Sequence, residues 1–240
     1  MNKPSFLELA RQGLSSTQRG YDLLAGKFEA TDYATPEELI EQCLKWGEHH
    51  FPLPNWEQPV AADLACGTGR ATRLLAAGGC LVDGYDFSSG MLEQAAFLSK
   101  DLEGIRWHQA DLARLELTEQ AYHRIVTFGA WGHILPEFRD RLLAGILSAL
   151  KPGGLFLTAT ANEARWWERR FWQSLIFDLG VRLRNAVWRH QFHMYYRLNN
   201  TSDLLQRLCR MGEGGYLVSV GPVEEEPRLS MIMVRRAQTD

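Results

Sequence analysis

The sequence predicts an α/β chain: a doubly wound sheet of seven strands, parallel except for an antiparallel last strand, with helices on both faces. Three observations predict it. From Val60 onward, short apolar runs alternate with stretches of helical period, the pattern of β-α-β units around a parallel sheet. A glycine turn, Cys66-Gly67-Thr68-Gly69, joins the first apolar run to the first helical stretch. The last two runs are connected only by Pro222-Val223-Glu224-Glu225-Glu226-Pro227, too short for a crossover helix, so they are expected to pair antiparallel.

The elements follow in order. Residues 60–66 read as a first buried strand, and 71–77 as the helix after the glycine turn. Residues 81–87 form the second strand and 88–99 its helix, which Ser88 or Ser89 can cap by accepting from an orphan backbone N–H. Strands three, four and five are expected at 106–112, 123–130 and 155–161. Between the last two, 137–150 carries apolar residues at helical spacing and ends in Lys151-Pro152-Gly153-Gly154, a helix stop and turn. A helix at 203–211 and strands at 215–223 and 229–236 complete the chain. The whole reads as one domain: a helical cap segment (1–58), a core (59–161), an aromatic and arginine-rich insert (162–199), and a last helix with a terminal hairpin (200–240).

Composition narrows the classes. The 240 residues (27.3 kDa) are 45% hydrophobic and 23% charged, with mean hydropathy -0.25, ordinary globular chemistry. A chain of this length buries roughly 70–75% of its unfolded surface and needs no disulfide or metal staple. Lys and Arg number 26 against 29 Asp and Glu, a net charge of -3, which gives no global attraction to nucleic acid. No apolar run reaches the roughly 18 residues of a membrane span, and Met1-Asn2-Lys3-Pro4 does not open a secretion signal. Cys43, Cys66, Cys80 and Cys209 form no Cys-x-x-Cys pair, in keeping with reduced thiols and a cytoplasmic location. His49-His50 and His190-x-x-His193 lack partners at ligand spacing, so no metal site is expected. Nothing in the pattern sets an oligomeric state.

The segment Asp63-Leu64-Ala65-Cys66-Gly67-Thr68-Gly69 carries the first functional signal, because glycines at a strand-to-helix turn let backbone approach a ligand. A phosphate P-loop is excluded, since Arg70-Ala71 follows Gly69 where Lys-Ser/Thr is required. A dinucleotide fingerprint would need glycine at position 72, where Thr72 stands. A tight turn without a ligand remains the plain alternative.

In these residues the sequence resembles the class I S-adenosylmethionine-dependent methyltransferases, whose first motif runs acidic-x-Gly-x-Gly-x-Gly. Here it reads Asp63, Ala65, Gly67 and Gly69, with alanine in place of the first glycine. The resemblance continues through Asp86 in Asp83-Gly84-Tyr85-Asp86-Phe87-Ser88, through Ala110-Asp111-Leu112 and Phe128-Gly129-Ala130, and through the 150–154 turn. It implies a Rossmann-like fold and S-adenosyl-L-methionine as cofactor. Asp86 would accept from both ribose hydroxyls, and its charge would repel the 2′-phosphate of NADP. Asp111 would accept from the adenine amine, with the Leu112 N–H toward a ring nitrogen and Phe87 and Leu112 as apolar walls. Asp63 would order the cofactor's ammonium group. Cys66, Met91, Phe128 and Gly129 complete the expected cofactor set. Tyr21-Asp22-Leu23-Leu24-Ala25 resembles the stretch that precedes the core in small-molecule members and folds over the methionine end. Tyr21 and Phe28 are therefore either lid residues or helix packing.

The insert is the most individual segment. Four of eight tryptophans fall within 166–188, and six arginines stand against Glu168 and Asp178 between Arg165 and Arg189. Trp167, Phe171, Leu175 and Leu179 recur at i, i+4 spacing, flanked by Trp172, Ile176 and Leu183, a broad apolar face. Three roles fit it: a cover on the sheet, a substrate lid over the carboxyl ends of the strands, or an interfacial membrane helix.

Methyl transfer from a sulfonium is an in-line displacement, so alignment rather than a catalytic triad is the main requirement. A general base would help an oxygen or carbon acceptor. His133 in Gly129-Ala130-Trp131-Gly132-His133 is the first candidate and Tyr195 and Tyr196 the second; a packing role for His133 is equally compatible. The expected activity is methyl transfer to a small, partly apolar acceptor. The alternatives are a non-catalytic cofactor-binding or regulatory protein, and a methyltransferase acting on RNA or protein.

Overall fold

A computed structural model describes residues 3–5, 8, 12, 15–31, 33–52, 58–187, 193, 201–211 and 215–237. Seven strands form one sheet: β1 (Val60–Leu64), β2 (Leu81–Asp86), β3 (Ile105–Gln109), β4 (Tyr122–Phe128), β5 (Leu150–Ala161), β6 (Tyr216–Pro222) and β7 (Leu229–Arg236). Their order across the sheet is β3-β2-β1-β4-β5-β7-β6. Pairings among β1–β5 are parallel, and β7 runs antiparallel to both neighbours, as the short 222–227 connection requires.

The α-helices around the sheet include α1 (Thr17–Leu24), α2 (Glu37–His50), α3 (Arg70–Ala77), α4 (Ser89–Leu98), α5 (Pro136–Ala149), α6 (Arg169–Val187) and α7 (Thr201–Met211). Alternating strand residues feed two cores. Ala62, Leu64, Ile125, Phe156 and Val234 face α5 and α7, while Ala61, Val126, Leu155, Leu157 and Met233 face α2 and α3. Both faces are covered, which is why these strands read as near-continuous apolar runs rather than as alternation.

Local chemistry sets the helix starts. Ser88 accepts from the Met91 N–H at 3.1 Å, capping α4 as expected. Ser16 caps α1 by accepting from the Arg19 N–H at 3.3 Å. Pro136 opens α5, where its missing N–H costs nothing.

Two boundaries differ from the sequence reading by three residues or more. The third strand ends at Gln109, because Asp111 starts a turn: its carbonyl accepts from the Arg114 N–H and its Oδ1 from the Ala113 N–H, both at 2.9 Å. The fifth strand begins at Leu150, with Lys151-Pro152-Gly153-Gly154 inside it. The expected turn is present as a bulge. The step from Leu150 to Leu155 faces only Tyr122 to Arg124 on β4, and Gly153 takes a left-handed φ of 77°.

The strand order reverses at β1 and β4, which places a topological switch point at their carboxyl ends, where open α/β sheets bind ligands.

A candidate cofactor and acceptor site at the carboxyl edge

The loop from β1 to α3 owes its shape to three left-handed residues, Ala65 (φ 57°), Gly67 (φ 54°) and Gly69 (φ 82°). Ala65 therefore holds a left-handed conformation that glycine adopts freely, at a cost of about 1–2 kcal/mol for its Cβ. Gly69 has a different duty from the one expected of it. It ends the loop as the N-cap of α3, does not reach the cavity, and a Cβ on it would stand 2.8 Å from the Trp107 ring.

Asp86 closes β2 directly beside this loop. Its Oδ2 accepts from the Gly67 N–H and its Oδ1 from the Ser88 N–H, both at 2.9 Å. Only 5% of it is exposed, and burial pushes its carboxyl up to about 6 against those hydrogen bonds. Asp63 lies deeper. Its Oδ2 accepts from the Thr72 hydroxyl at 2.7 Å, and burial pushes it up to about 7. Thr72 thus occupies, and uses, the position where a dinucleotide fold would carry its third glycine.

The loop, the strand ends and the N-terminal segment enclose a cavity of about 590 Å³, within the range of small-molecule sites. Tyr21, Asp63, Ala65, Cys66, Gly67 and Asp86 line it on one side. Phe87, Met91, Asp111, Leu112, Phe128, Gly129 and His133 line the other. Every residue expected at the cofactor end except Gly69 is therefore brought to one space. Tyr195 and Tyr196 lie outside the described residues.

The sequence reading missed the groups that fasten the N-terminal segment over this cavity. Glu29 takes the Thr68 hydroxyl at 2.9 Å and Arg73 at 2.7 Å. Arg70 donates to the Thr35 and Glu29 carbonyls at 2.8 and 2.9 Å. Asp22 accepts from the Ser88 hydroxyl at 2.6 Å and the Gly90 N–H at 3.1 Å. These partners lie 35–68 positions apart and carry no local period; only the Tyr21-Asp22 pair was visible as a motif.

His133 is half-buried, and both of its ring nitrogens are engaged: Nε2 with the Tyr21 hydroxyl at 2.8 Å, Nδ1 with the His193 carbonyl at 2.5 Å. Burial holds its pKa below the ordinary imidazole value.

The insert behaves differently from the expectation of one apolar face. Helix α6 turns Asp178 and Val181 inward and keeps Phe171 and Leu175 half-buried. Trp172, Ile176, Leu179, Leu183 and Val187 remain exposed. Arg184 donates to the Ser15 carbonyl at 2.6 Å, and this polar fastening accompanies a rotation that apolar periodicity does not foresee. Trp166 and Trp167 are also exposed. Among the described insert residues, only His193 lines the cavity.

A parallel sheet with one antiparallel strand, an acidic residue before a glycine loop, and a second acid closing β2 together give a Rossmann-like fold with an acid-lined cavity at its carboxyl edge. Residues 61–154 match the family model described as a methyltransferase domain. Among curated proteins, the chain is 32% identical over 153 residues to the trans-aconitate 2-methyltransferase of Pseudomonas aeruginosa, covering 57% of this chain and 52% of that protein. It is 28% identical over 145 residues to an uncharacterised methyltransferase of Synechocystis sp., covering 59% and 66%. The chain thus spans between about half and two thirds of the length of these relatives. Among solved structures, DhpI in complex with SAH superposes with a TM-score of 0.66 at 18% identity, over 98% of this chain and all of that one. The SAH-bound magnesium protoporphyrin IX methyltransferase of Synechocystis gives 0.58 at 15%, over 84% and 83%.

Proposed function

We propose that this protein binds S-adenosylmethionine at the carboxyl edge of β1, β2 and β3 and transfers its methyl group to a small acceptor in the same cavity. The observation that carries this reading is Asp86. Its two oxygens are held in place by the Gly67 and Ser88 N–H groups, and each has a second lone pair for a ribose hydroxyl. Charge-assisted hydrogen bonds of that kind contribute about 1.5–3 kcal/mol each. Asp111 sits on a turn at the cavity wall beside Leu112, suited to an adenine amine, with Phe87 lining the same space. Asp63 stands beneath the loop as an acceptor for an ammonium group.

The cofactor supplies an activated methyl on a positive sulfur. The chain's task is to hold the acceptor in line and exclude water, and alignment of that sort contributes about 7–11 kcal/mol. The remaining wall favours a small and partly apolar acceptor: Phe28, Phe128, Ile134, Leu135 and Phe138 line the cavity together with Thr17 and Thr35. These groups come from the N-terminal segment and residues 128–138, and His193 of the insert joins them.

The test is transfer of radiolabelled methyl from S-adenosylmethionine to a panel of small hydroxyl, carboxyl and amine acceptors. Label transfer that disappears in Asp86→Ala supports the reading. Cofactor binding without transfer to any acceptor would place the protein among non-catalytic members of the fold.

A further inference from the structure

We infer that Tyr21 is the group that takes the acceptor's proton, with His133 receiving the proton that Tyr21 gives up, so that the acceptor is one still protonated at neutral pH: an alcohol, phenol or enol hydroxyl. The inference rests on the methyltransferase reading of the cavity and names a chemical class for its acceptor.

The argument begins with the tautomer. A carbonyl oxygen only accepts, so the contact of 2.5 Å between His133 Nδ1 and the His193 carbonyl requires the hydrogen on Nδ1. In a neutral imidazole the other nitrogen then carries a lone pair. His133 Nε2 therefore accepts from the Tyr21 hydroxyl at 2.8 Å, and burial favours this neutral form. His133 has no ring nitrogen left for direct contact with an acceptor. This revises its expected role: the polar atom presented to the substrate is the Tyr21 oxygen.

The pair is firmly placed. Tyr21 lies edge-on to Phe28, Phe87 and His133, with ring centroids 5.8, 6.1 and 5.4 Å away, and both Tyr21 and His133 line the cavity. The residue that sets the tautomer is held as well, because the His193 N–H donates to the Thr17 hydroxyl at 2.7 Å. Helix α1 thus supplies Thr17 to fix His193 and Tyr21 to face the acceptor, while the insert returns to supply the carbonyl. Here the insert acts on the chemistry through a backbone carbonyl.

In the transfer step the acceptor oxygen forms a bond to the methyl carbon as the carbon–sulfur bond breaks, and the electron pair of that bond stays on sulfur. The acceptor's proton passes to the Tyr21 oxygen, and the Tyr21 proton passes to His133 Nε2. The resulting imidazolium donates from both nitrogens, to Tyr21 and to the His193 carbonyl. Release of the methylated product reopens the path by which that proton returns through Tyr21 to water. A carboxylate acceptor, already ionised, would have no use for this relay.

Two measurements test it. Nitrogen-15 NMR of the full-length protein with labelled histidine should show His133 neutral with its hydrogen on Nδ1 at pH 7, and Tyr21→Phe should shift the Nε2 resonance alone. In the labelled-methyl assay, hydroxyl compounds should be the acceptors. Tyr21→Phe keeps the ring packing and should lower kcat about 100-fold or more, the range of general-base contributions, with S-adenosylmethionine affinity within threefold. A hydrogen on Nε2, transfer confined to carboxylates, or a full-rate Tyr21→Phe enzyme would overturn the relay while leaving methyl transfer standing. A protein that binds the cofactor and methylates nothing in the panel would overturn the methyl-transfer reading and the relay with it.

Discussion

The glycine loop with Asp86 and the helix α6 are both segments whose sequence announced a role, and they divide sharply in how that role is built. In the loop, each signalling residue touches the cavity or shapes the backbone beside it, because a strand-to-helix turn leaves few conformations open. In α6, Trp172, Ile176, Leu179 and Leu183 face outward, and the inward positions belong to Asp178 and Val181. Backbone-constrained motifs carry their geometry in the sequence, whereas an amphipathic helix carries only its period. Which side it turns inward is decided by partners such as Ser15, 169 residues away from Arg184.

The largest effect that would break this contrast is on the loop. Gly69→Ala must place a side chain at φ 82° and 2.8 Å from Trp107, so it should cost about 2–4 kcal/mol of stability. Urea unfolding measures it, and a loss below 0.5 kcal/mol would show the loop to be freely adaptable. Next comes Asp86→Ala, which should weaken S-adenosylmethionine binding by about 1.5–3 kcal/mol, roughly 10- to 150-fold, by titration calorimetry.

A pH titration sharpens the same half of the comparison. The Asp86 carboxyl is pushed from 3.8 up to about 6 by burial, so the folded protein binds this proton more tightly than the unfolded chain. Its contribution to stability is therefore full below about 4 and is lost as pH rises through about 6. Cofactor binding has the opposite sign, because only the ionised carboxylate accepts from both hydroxyls. Affinity should fall as pH drops below about 6, and Asp86→Asn should flatten that fall. Asp63, pushed up to about 7, accounts for whatever pH dependence persists in Asp86→Asn.

The smallest effect belongs to α6. Trp172→Ala and Ile176→Ala remove side chains that are 52% and 69% exposed. Each should change stability by less than about 0.5 kcal/mol and leave cofactor affinity within twofold. A loss of 2 kcal/mol or more in thermal unfolding would mean that these side chains are core, and would erase the contrast with the loop.

Legibility followed the same divide. The seven strands, the antiparallel β7 and the Ser88 cap could be read because each rests on local period or on short spacing, and the grouping of Asp63, Gly67, Asp86 and Asp111 followed from the resemblance of motifs in order along the chain. The end of β3 could not, since the Asp111 turn depends on its side chain accepting from the Ala113 N–H rather than on apolar pattern. Nor could the Tyr21–His133 contact, whose members lie 112 residues apart, or the Glu29 anchorage of the N-terminal segment. Gly69 was read as part of the ligand site, while its conformation serves α3 and Trp107. For Tyr21, Glu29 and Gly69 the missing information is tertiary: a partner that no window of sequence contains.

The central claim is that Asp86 and the glycine loop hold the nucleoside of S-adenosylmethionine. Calorimetric titration of the purified protein at pH 7.5 with S-adenosylmethionine, its demethylated product and NAD tests it most directly. The account predicts saturable 1:1 binding of both sulfur compounds, lost or weakened at least tenfold in Asp86→Ala, and no measurable binding of NAD. Tight NAD binding with no heat from either sulfur compound, or Asp86→Ala binding that equals wild type, would contradict it.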